Sequence, residues 1–427
     1  MNVLLLGSGG REHAILRALR KSACVDRIDA APGNAGMSAE TPCHRVDPMN
    51  PDAVIELASA LKPDLVIIGP EGPLCLGVAD ALRNEGYVVF GPGRQGAMLE
   101  GSKSFAKAFM KRHGIPTADF DICVSLSDVS AALARRRPPF VIKADGLAAG
   151  KGVVIADTVQ EAKDAASGMF AGSFGESGKT LLVEDFMAGD ELTLLTVTDG
   201  TTLRTLVPSQ DHKRVFDHDK GPNTGGMGAF APVPWLDAGL MDRIRREILD
   251  PTVRGLQSER IPYRGALYFG LMITPEGAPK VVEYNVRFGD PETQAVLPLF
   301  EEDFARALLA CAEGKLENAP WRNASQFAVD VVLTSGGYPG KYPTGIPITG
   351  IREAESMDHV SVLHAGTALK DGELVTSGGR VLNVVATGNT LEEAIERAYR
   401  GVECISFDGA HFRRDIARKG RKGGMMS

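Results

Sequence analysis

Apolar and polar positions along this chain alternate with two periods, and the switch between them marks out its organisation. Residues 2–6, N-V-L-L-L, form a short apolar run ended by a glycine turn, and R-E-H-A-I-L-R-A-L-R then carries apolar residues at helical spacing. A strand, a turn and a helix are predicted there. Further strands are predicted in D-L-V-I-I-G-P-E-G-P-L, after a helical stretch from Asp52 to Leu61, and in Y-V-V-F-G-P-G, after a helix ending near Asn84. Strands that alternate with helices pair in parallel, so the first hundred residues read as a doubly wound parallel sheet.

From Gly101 the pattern changes. Lys103 to His113 predicts an amphipathic helix, closed by Gly114 and Pro116. Four β-rich runs follow, P-F-V-I-K-A, G-V-V-I-A, T-L-L-V-E-D-F and E-L-T-L-L-T-V-T, and predict a small α+β module on one antiparallel sheet. The polar, glycine-rich stretch from Pro208 to Pro234 shows no period and reads as a long functional loop. A helix near Leu240 to Ser258 then precedes strands at Ala266 to Ile273 and Lys280 to Asn285. The last hundred residues hold Q-F-A-V-D-V-V-L-T, R-V-L-N-V-V-A-T-G and the helical L-E-E-A-I-E-R-A-Y-R, read as a C-terminal α/β domain covering the central one. The closing R-K-G-R-K-G-G-M-M-S reads as a solvated tail.

Composition narrows the function classes. The 427 residues suit roughly two to four domains. A net charge of -7 argues against nucleic acid or an anionic membrane as partner, so phosphates of a substrate must be met by local cations. The cysteines, Cys24, Cys43, Cys75, Cys123, Cys311 and Cys404, include no C-x-x-C pair, which excludes a zinc site or a disulfide framework and leaves reduced thiols. The N-terminus lacks a basic leader, and its apolar run has only the length of a strand. The cytoplasm is the expected compartment.

Several segments carry candidate chemistry. K-A-D-G-L-A-A-G-K-G-V, Lys143 to Val153, is one residue too short for a P-loop and has Gly152 where the metal-binding hydroxyl would stand. G-S-F-G-E-S-G-K-T, from Gly172, ends suitably but precedes a predicted strand, so neither is a P-loop. G-S-G-G-R-E-H, from Gly7, is half a dinucleotide fingerprint; a tight turn and a small anion at the helix N-terminus remain open. In V-V-E-Y-N-V-R-F-G-D-P-E, strand alternation places Glu283, Asn285 and Arg287 on one face. A carboxylate and an amide there offer hard oxygen ligands for magnesium, and the guanidinium offers a fork for a carboxylate or phosphate. On L-L-V-E-D-F, backbone on either side of Asp185 could meet an adenine edge, with Glu184 near its exocyclic amine and Glu191 on the ribose; an edge strand with exposed acids is the alternative. In the loop from Ser209 to Gly228, Asp211, Lys213 and Asn223 are candidates for substrate contact, while His212 and His218 lack the partners of a zinc site.

In order along nearly the whole chain, G-S-G-G-R-E-H, A-P-G-N-A-G, G-P-E-G-P-L, G-S-K-S-F-A-K, V-I-K-A-D-G-L-A-A-G-K-G-V, S-Q-D-H-K-R, G-P-N-T-G-G-M-G and N-V-R-F-G-D-P-E-T-Q resemble the phosphoribosylamine-glycine ligase family of the ATP-grasp superfamily. The resemblance implies an N-terminal domain over 1–101, an ATP-grasp domain over 102–324 with a lid at about 120–190, and a C-terminal domain over 325–427. It implies that Lys103 and Lys143 meet ATP phosphates under a loop containing Gly146, Gly150, Lys151 and Gly152. Glu184, Asp185, Phe186 and Glu191 would hold adenosine, and Glu283 and Asn285 would ligate Mg2+ or Mn2+. The implied reaction joins glycine to 5-phosphoribosylamine through an acyl phosphate, with Arg287, Asp211 and Lys213 near the reacting groups. Gly9, Gly10 and Glu71 are expected near the ribose phosphate, and Asn223, Gly225, Gly226 and Asp290 are further expected substrate contacts. The expected partners are these small molecules alone, with a monomer as the expected state. Other ATP-grasp carboxylate-amine ligases, an NAD(P)-dependent oxidoreductase and a non-catalytic nucleotide sensor are the competing readings.

Overall fold

The computed structural model describes residues 1–147, 152–173 and 175–421. Its N-terminal sheet is parallel, in the order Arg27–Pro32, Asn2–Gly7, Leu65–Ile68, Val89–Phe90. Leu4, Leu5 and Leu6 are fully buried, as a strand covered on both faces requires, which accounts for an apolar run without alternation. The helix Pro51–Leu61 starts with proline behind an Asn50 cap that accepts from Ala53 N–H. Ser102 caps the helix Lys103–Arg112 by accepting from Phe105 N–H at 3.1 Å.

The middle of the chain builds two sheets; the pattern of β-rich runs points to one, whereas the resemblance sets a lid at about 120–190 apart from the rest. Phe120–Cys123, Leu181–Asp185, Phe140–Ala144 and Val153–Ala156 pair antiparallel in that order and form a lid with its own core of Cys123, Val129, Ile142, Leu181 and Val183. The fourth β-rich run, Asp190–Thr198, leaves the lid and pairs with Gly265–Ile273, which in turn pairs with Pro279–Asn285. The crossing point is Gly189, whose φ is +148° and whose added Cβ would lie 2.0 Å from the carbonyl oxygen of Ile273. Only glycine permits that approach.

The segment from Pro208 to Pro234 is likewise structured. It contains the strands Gln210–Asp211, Arg214–Phe216, Lys220–Asn223 and Gly228–Ala231, each too short to show a period. Gly228–Ala231 pairs with Phe327–Thr334, so this segment joins an antiparallel sheet completed by Arg380–Gly388 and Val360–His364 and packed by the helix Leu391–Cys404. The C-terminal part of the chain is thereby anchored beside the central sheet. No helix among the described residues is long and apolar enough to cross a membrane.

Candidate active site

A cavity of about 830 Å³ lies between the lid and the central sheet, with Tyr338, Pro339, Arg380 and Lys419 from the C-terminal part in its wall. Of the residues expected in a site, Glu71, Lys103, Lys143, Gly146, Gly152, Glu184, Asp185, Phe186, Glu191, Asp211, Lys213, Asn223, Gly225, Glu283, Asn285, Arg287 and Asp290 line it. Gly150 and Lys151 lie outside the described residues. Gly9, Gly10 and Gly226 are not in the wall.

At the lid end, Glu184 sits on an inner strand, fully buried, and not on an edge. Its Oε2 lies 2.9 Å from Lys143 Nζ and 2.9 Å from Lys107 Nζ. Burial alone would raise the Glu184 carboxyl, but the two ammoniums hold it below the usual carboxylate range. Lys107 was absent from the expected set, although its spacing of four from Lys103 places both on one helix face. Lys103 donates to Gly146 O at 2.7 Å and so ties the helix to the lid turn. Asp185 is engaged elsewhere: its N–H donates to Asp119 O, and its carboxylate lies 3.1 Å from Arg136. Backbone free for a base edge therefore begins after Asp185, in the Phe186 to Gly189 stretch that lines the cavity.

On the central sheet, Glu283 and Asn285 face the cavity next to a bulge opposite Gly270 and Leu271. Among the described residues neither side chain makes a hydrogen bond or direct ion pair, so their oxygens are uncommitted. Burial favours protonation of Glu283, yet Lys213, Lys143, Lys103 and Arg287 hold its carboxyl below the ordinary range. A charged, unpartnered carboxylate beside an amide oxygen suits a hard divalent cation. No cluster of three acidic, histidine or cysteine side chains able to hold a metal occurs among the described residues. The remaining ligands of a cation here would come from substrate oxygens or water.

Arg287 stands between two carboxylates, Glu71 at 3.3 Å and Glu100 at 3.4 Å. Glu100, also absent from the expected set, accepts from Val286 N–H at 2.7 Å. Burial pushes its carboxyl up to about 7, with Arg287 opposing. Farther along, Lys213 lies 3.0 Å from Asp211 and 3.5 Å from Glu191, which joins the ribose candidate to the loop candidates. Arg380 binds the Asp290 carboxylate at 2.9 Å and the Asp290 carbonyl at 2.8 Å, and also donates to Gly225 O. Sequence pattern gave no signal for Arg380, which reaches the site from a strand 90 residues beyond Asp290.

The N-terminal glycine loop packs closely within the chain. Gly9 N–H donates to Glu12 Oε2 at 2.7 Å, so the chain's own carboxylate already satisfies it. A Cβ on Gly10 would meet Asn383 Nδ2 at 2.4 Å. Both observations fit the tight-turn reading, with close packing against the C-terminal sheet, and the wall residue nearest in sequence is Arg11. Gly226 N–H donates to Thr224 Oγ1 at 3.0 Å, a contact that shapes the loop presenting Asn223 and Gly225.

Comparison with known proteins gives concordant results. Descriptions of the phosphoribosylglycinamide synthetase N domain, ATP-grasp (A) domain and C domain match residues 1–100, 101–293 and 328–419. The chain is 47% identical over 422 residues to the phosphoribosylamine-glycine ligase of Streptomyces coelicolor, covering 98% of this chain and 99% of that one. The crystal structure of the phosphoribosylamine-glycine ligase of Thermotoga maritima is 38% identical, with a TM-score of 0.84 over 97% of this chain and 100% of that chain. The biotin carboxylase domain of Hydrogenobacter thermophilus 2-oxoglutarate carboxylase, solved with MgADP, shares the fold at 17% identity, with a TM-score of 0.71 over 96% and 91% of the two chains.

Proposed function

The chain belongs to the phosphoribosylglycinamide synthetase family, and from that premise we propose how its residues divide the work of an ATP-dependent ligase in purine biosynthesis. The reaction joins glycine to 5-phosphoribosylamine and releases ADP and phosphate. A carboxylate resists attack by an amine, so a glycine oxygen first attacks the γ-phosphorus of ATP and the bond to the β-phosphate oxygen breaks. The amine nitrogen then attacks the carbonyl carbon of glycyl phosphate, the bond from that carbon to the phosphate oxygen breaks, and the nitrogen gives up a proton.

Charge placement is the main demand of such a reaction. Lys103 and Lys143 neutralise the nucleotide phosphates, and the lid, with Gly146 and Gly152 in the cavity wall, keeps water from the acyl phosphate. The free backbone after Asp185 reads the adenine edge, with Glu184 Oε1 near its amine, and Glu191 holds the ribose. Glu283 and Asn285 hold Mg2+ or Mn2+, which when bound supplies positive charge at the transferring phosphoryl group. Arg287 orients the carboxylate being activated, with Asp211 and Lys213 close by. Glu71, Asn223, Gly225 and Asp290 border the space for phosphoribosylamine. Free thiols and small soluble substrates suit the cytoplasm, and a monomer is the proposed state.

The observation that carries the reading is the convergence of Lys103, Lys143, Lys213 and Arg287 around an uncommitted Glu283 and Asn285 in one cleft. Glycine labelled with heavy oxygen in its carboxylate tests the acyl phosphate. One labelled oxygen should pass into inorganic phosphate at each turnover; phosphate free of label would exclude this route.

A further inference from the structure

Glu184 shares one oxygen between two lysines and leaves the other without a partner. Lys107 Nζ and Lys143 Nζ each lie 2.9 Å from Oε2, while Oε1 is buried with no hydrogen bond. The three side chains are 3%, 7% and 2% exposed for Lys107, Lys143 and Glu184, so one positive charge stands in excess in a buried place.

The two lysines are held differently. Lys107 is fixed from several sides: it donates to Thr117 Oγ1 at 2.8 Å, Thr117 donates to Val281 O at 2.6 Å, and the Phe120 ring centroid lies 5.9 Å from the ammonium. Lys143 stands on the strand that leads into the Gly146 turn, and Glu184 is its ion-pair partner among the described residues.

We infer that Lys107 is a positioning residue that keeps Glu184 charged and in place, so that Lys143 can leave it for a phosphate of the nucleotide. The inference rests on the reading in which Lys143 meets ATP. With Lys107 neutral, the departure of Lys143 would strand a buried carboxylate, which is strongly unfavourable. Lys143 would then be retained by Glu184. The charged groups facing Lys107 are Glu184, Lys143 and Asp119; burial brings its ammonium down to about 8, Glu184 opposing and Lys143 adding to the effect.

The test compares wild type with Lys107→Met, Lys107→Arg and Lys143→Met, reading ATP affinity by calorimetry together with KM and kcat. Lys143→Met weakens ATP binding, and Lys107→Met raises the KM for ATP at least about tenfold while leaving that for glycine unchanged. Wild-type affinity for ATP falls as pH rises through about 8. Lys107→Arg, charged throughout, keeps the affinity and loses that fall. Wild-type ATP binding by Lys107→Met alongside weakened binding by Lys143→Met would overturn this role alone. Unaltered binding by Lys143→Met would overturn the phosphate contact and this role with it. Should Lys107→Met not fold, identical alkaline profiles for wild type and Lys107→Arg would overturn the inference.

Discussion

Replacing Arg380 by Met removes three contacts at once, to the Asp290 carboxylate, the Asp290 carbonyl and the Gly225 carbonyl. Breaking a fully buried ion pair by deleting one partner costs about 3–5 kcal/mol. Here the two side chains are 21% and 16% exposed, and Asp290 keeps a 2.7 Å bond from Gln294. Solvent and that bond reduce the ion-pair share to about 2 kcal/mol. Two carbonyls losing a donor bring the total to about 3 kcal/mol. The Asp290 carboxyl, pushed up by burial, is held below its ordinary value of 3.8 by Arg380 and then Arg11. Its contribution is therefore present above that value and lost as pH falls through the lower folded value. Urea denaturation of Arg380→Met, Asp290→Asn and the double variant gives the coupling directly. It should be about 2 kcal/mol at neutral pH and fade only below about 4. A coupling below about 0.5 kcal/mol, or one that varies across neutral pH, would refute the claim that this pair clamps the C-terminal part onto the site.

Two further outcomes follow from the same geometry. Glu283→Ala, which removes a carboxylate with no direct partner among the described residues, should lower kcat at least about a thousandfold while the melting profile stays near that of wild type; a turning-over variant would contradict the assignment of the metal ligand. Glu100 has a folded value of about 7 against 4.5, so its charged form costs the fold nothing below about 4.5 and progressively more up to about 7. Glu100→Gln escapes that cost, and its stability relative to wild type should rise across this window in pH-resolved melts; a difference independent of pH would show that Glu100 is ionised throughout.

Much of the fold could be read from the chain because the signals were local. V-L-L-L reads as a buried strand, and Lys103 to His113 as a helix closed by Gly114 and Pro116, since those choices depend on neighbours in sequence. The short strands between Gln210 and Ala231 were illegible for the opposite reason: two to four residues cannot display a period, and Gly228–Ala231 exists through pairing with Phe327–Thr334 and Gln210–Asp211, while Arg214–Phe216 and Lys220–Asn223 pair with each other. Periodicity likewise gave no sign of the two-sheet division at Gly189, which depends on its contact with Ile273; only the resemblance, with a lid ending at about 190, pointed to it.

The site divides along the same line. Glu283, Asn285 and Arg287 stand in a motif whose spacing already implies chemistry, whereas Lys143 became a candidate through the family resemblance. Glu100 and Arg380 become functional candidates only through pairing with Arg287 and Asp290, far away in sequence. Lys107 lay in plain view, four residues after Lys103, but its meaning depends on Glu184. In the glycine loop, a pattern suited to an anion, Gly9 N–H is engaged by Glu12 from the following helix, a pairing that motif spacing does not reveal.

The most direct measurement of the central claim is ADP release from ATP with glycine and 5-phosphoribosylamine supplied together and separately, with the products weighed by mass spectrometry. The account predicts ADP, phosphate and glycinamide ribonucleotide in equal amounts, only when both co-substrates are present. ADP release indifferent to glycine, or a product containing no glycine, would contradict it.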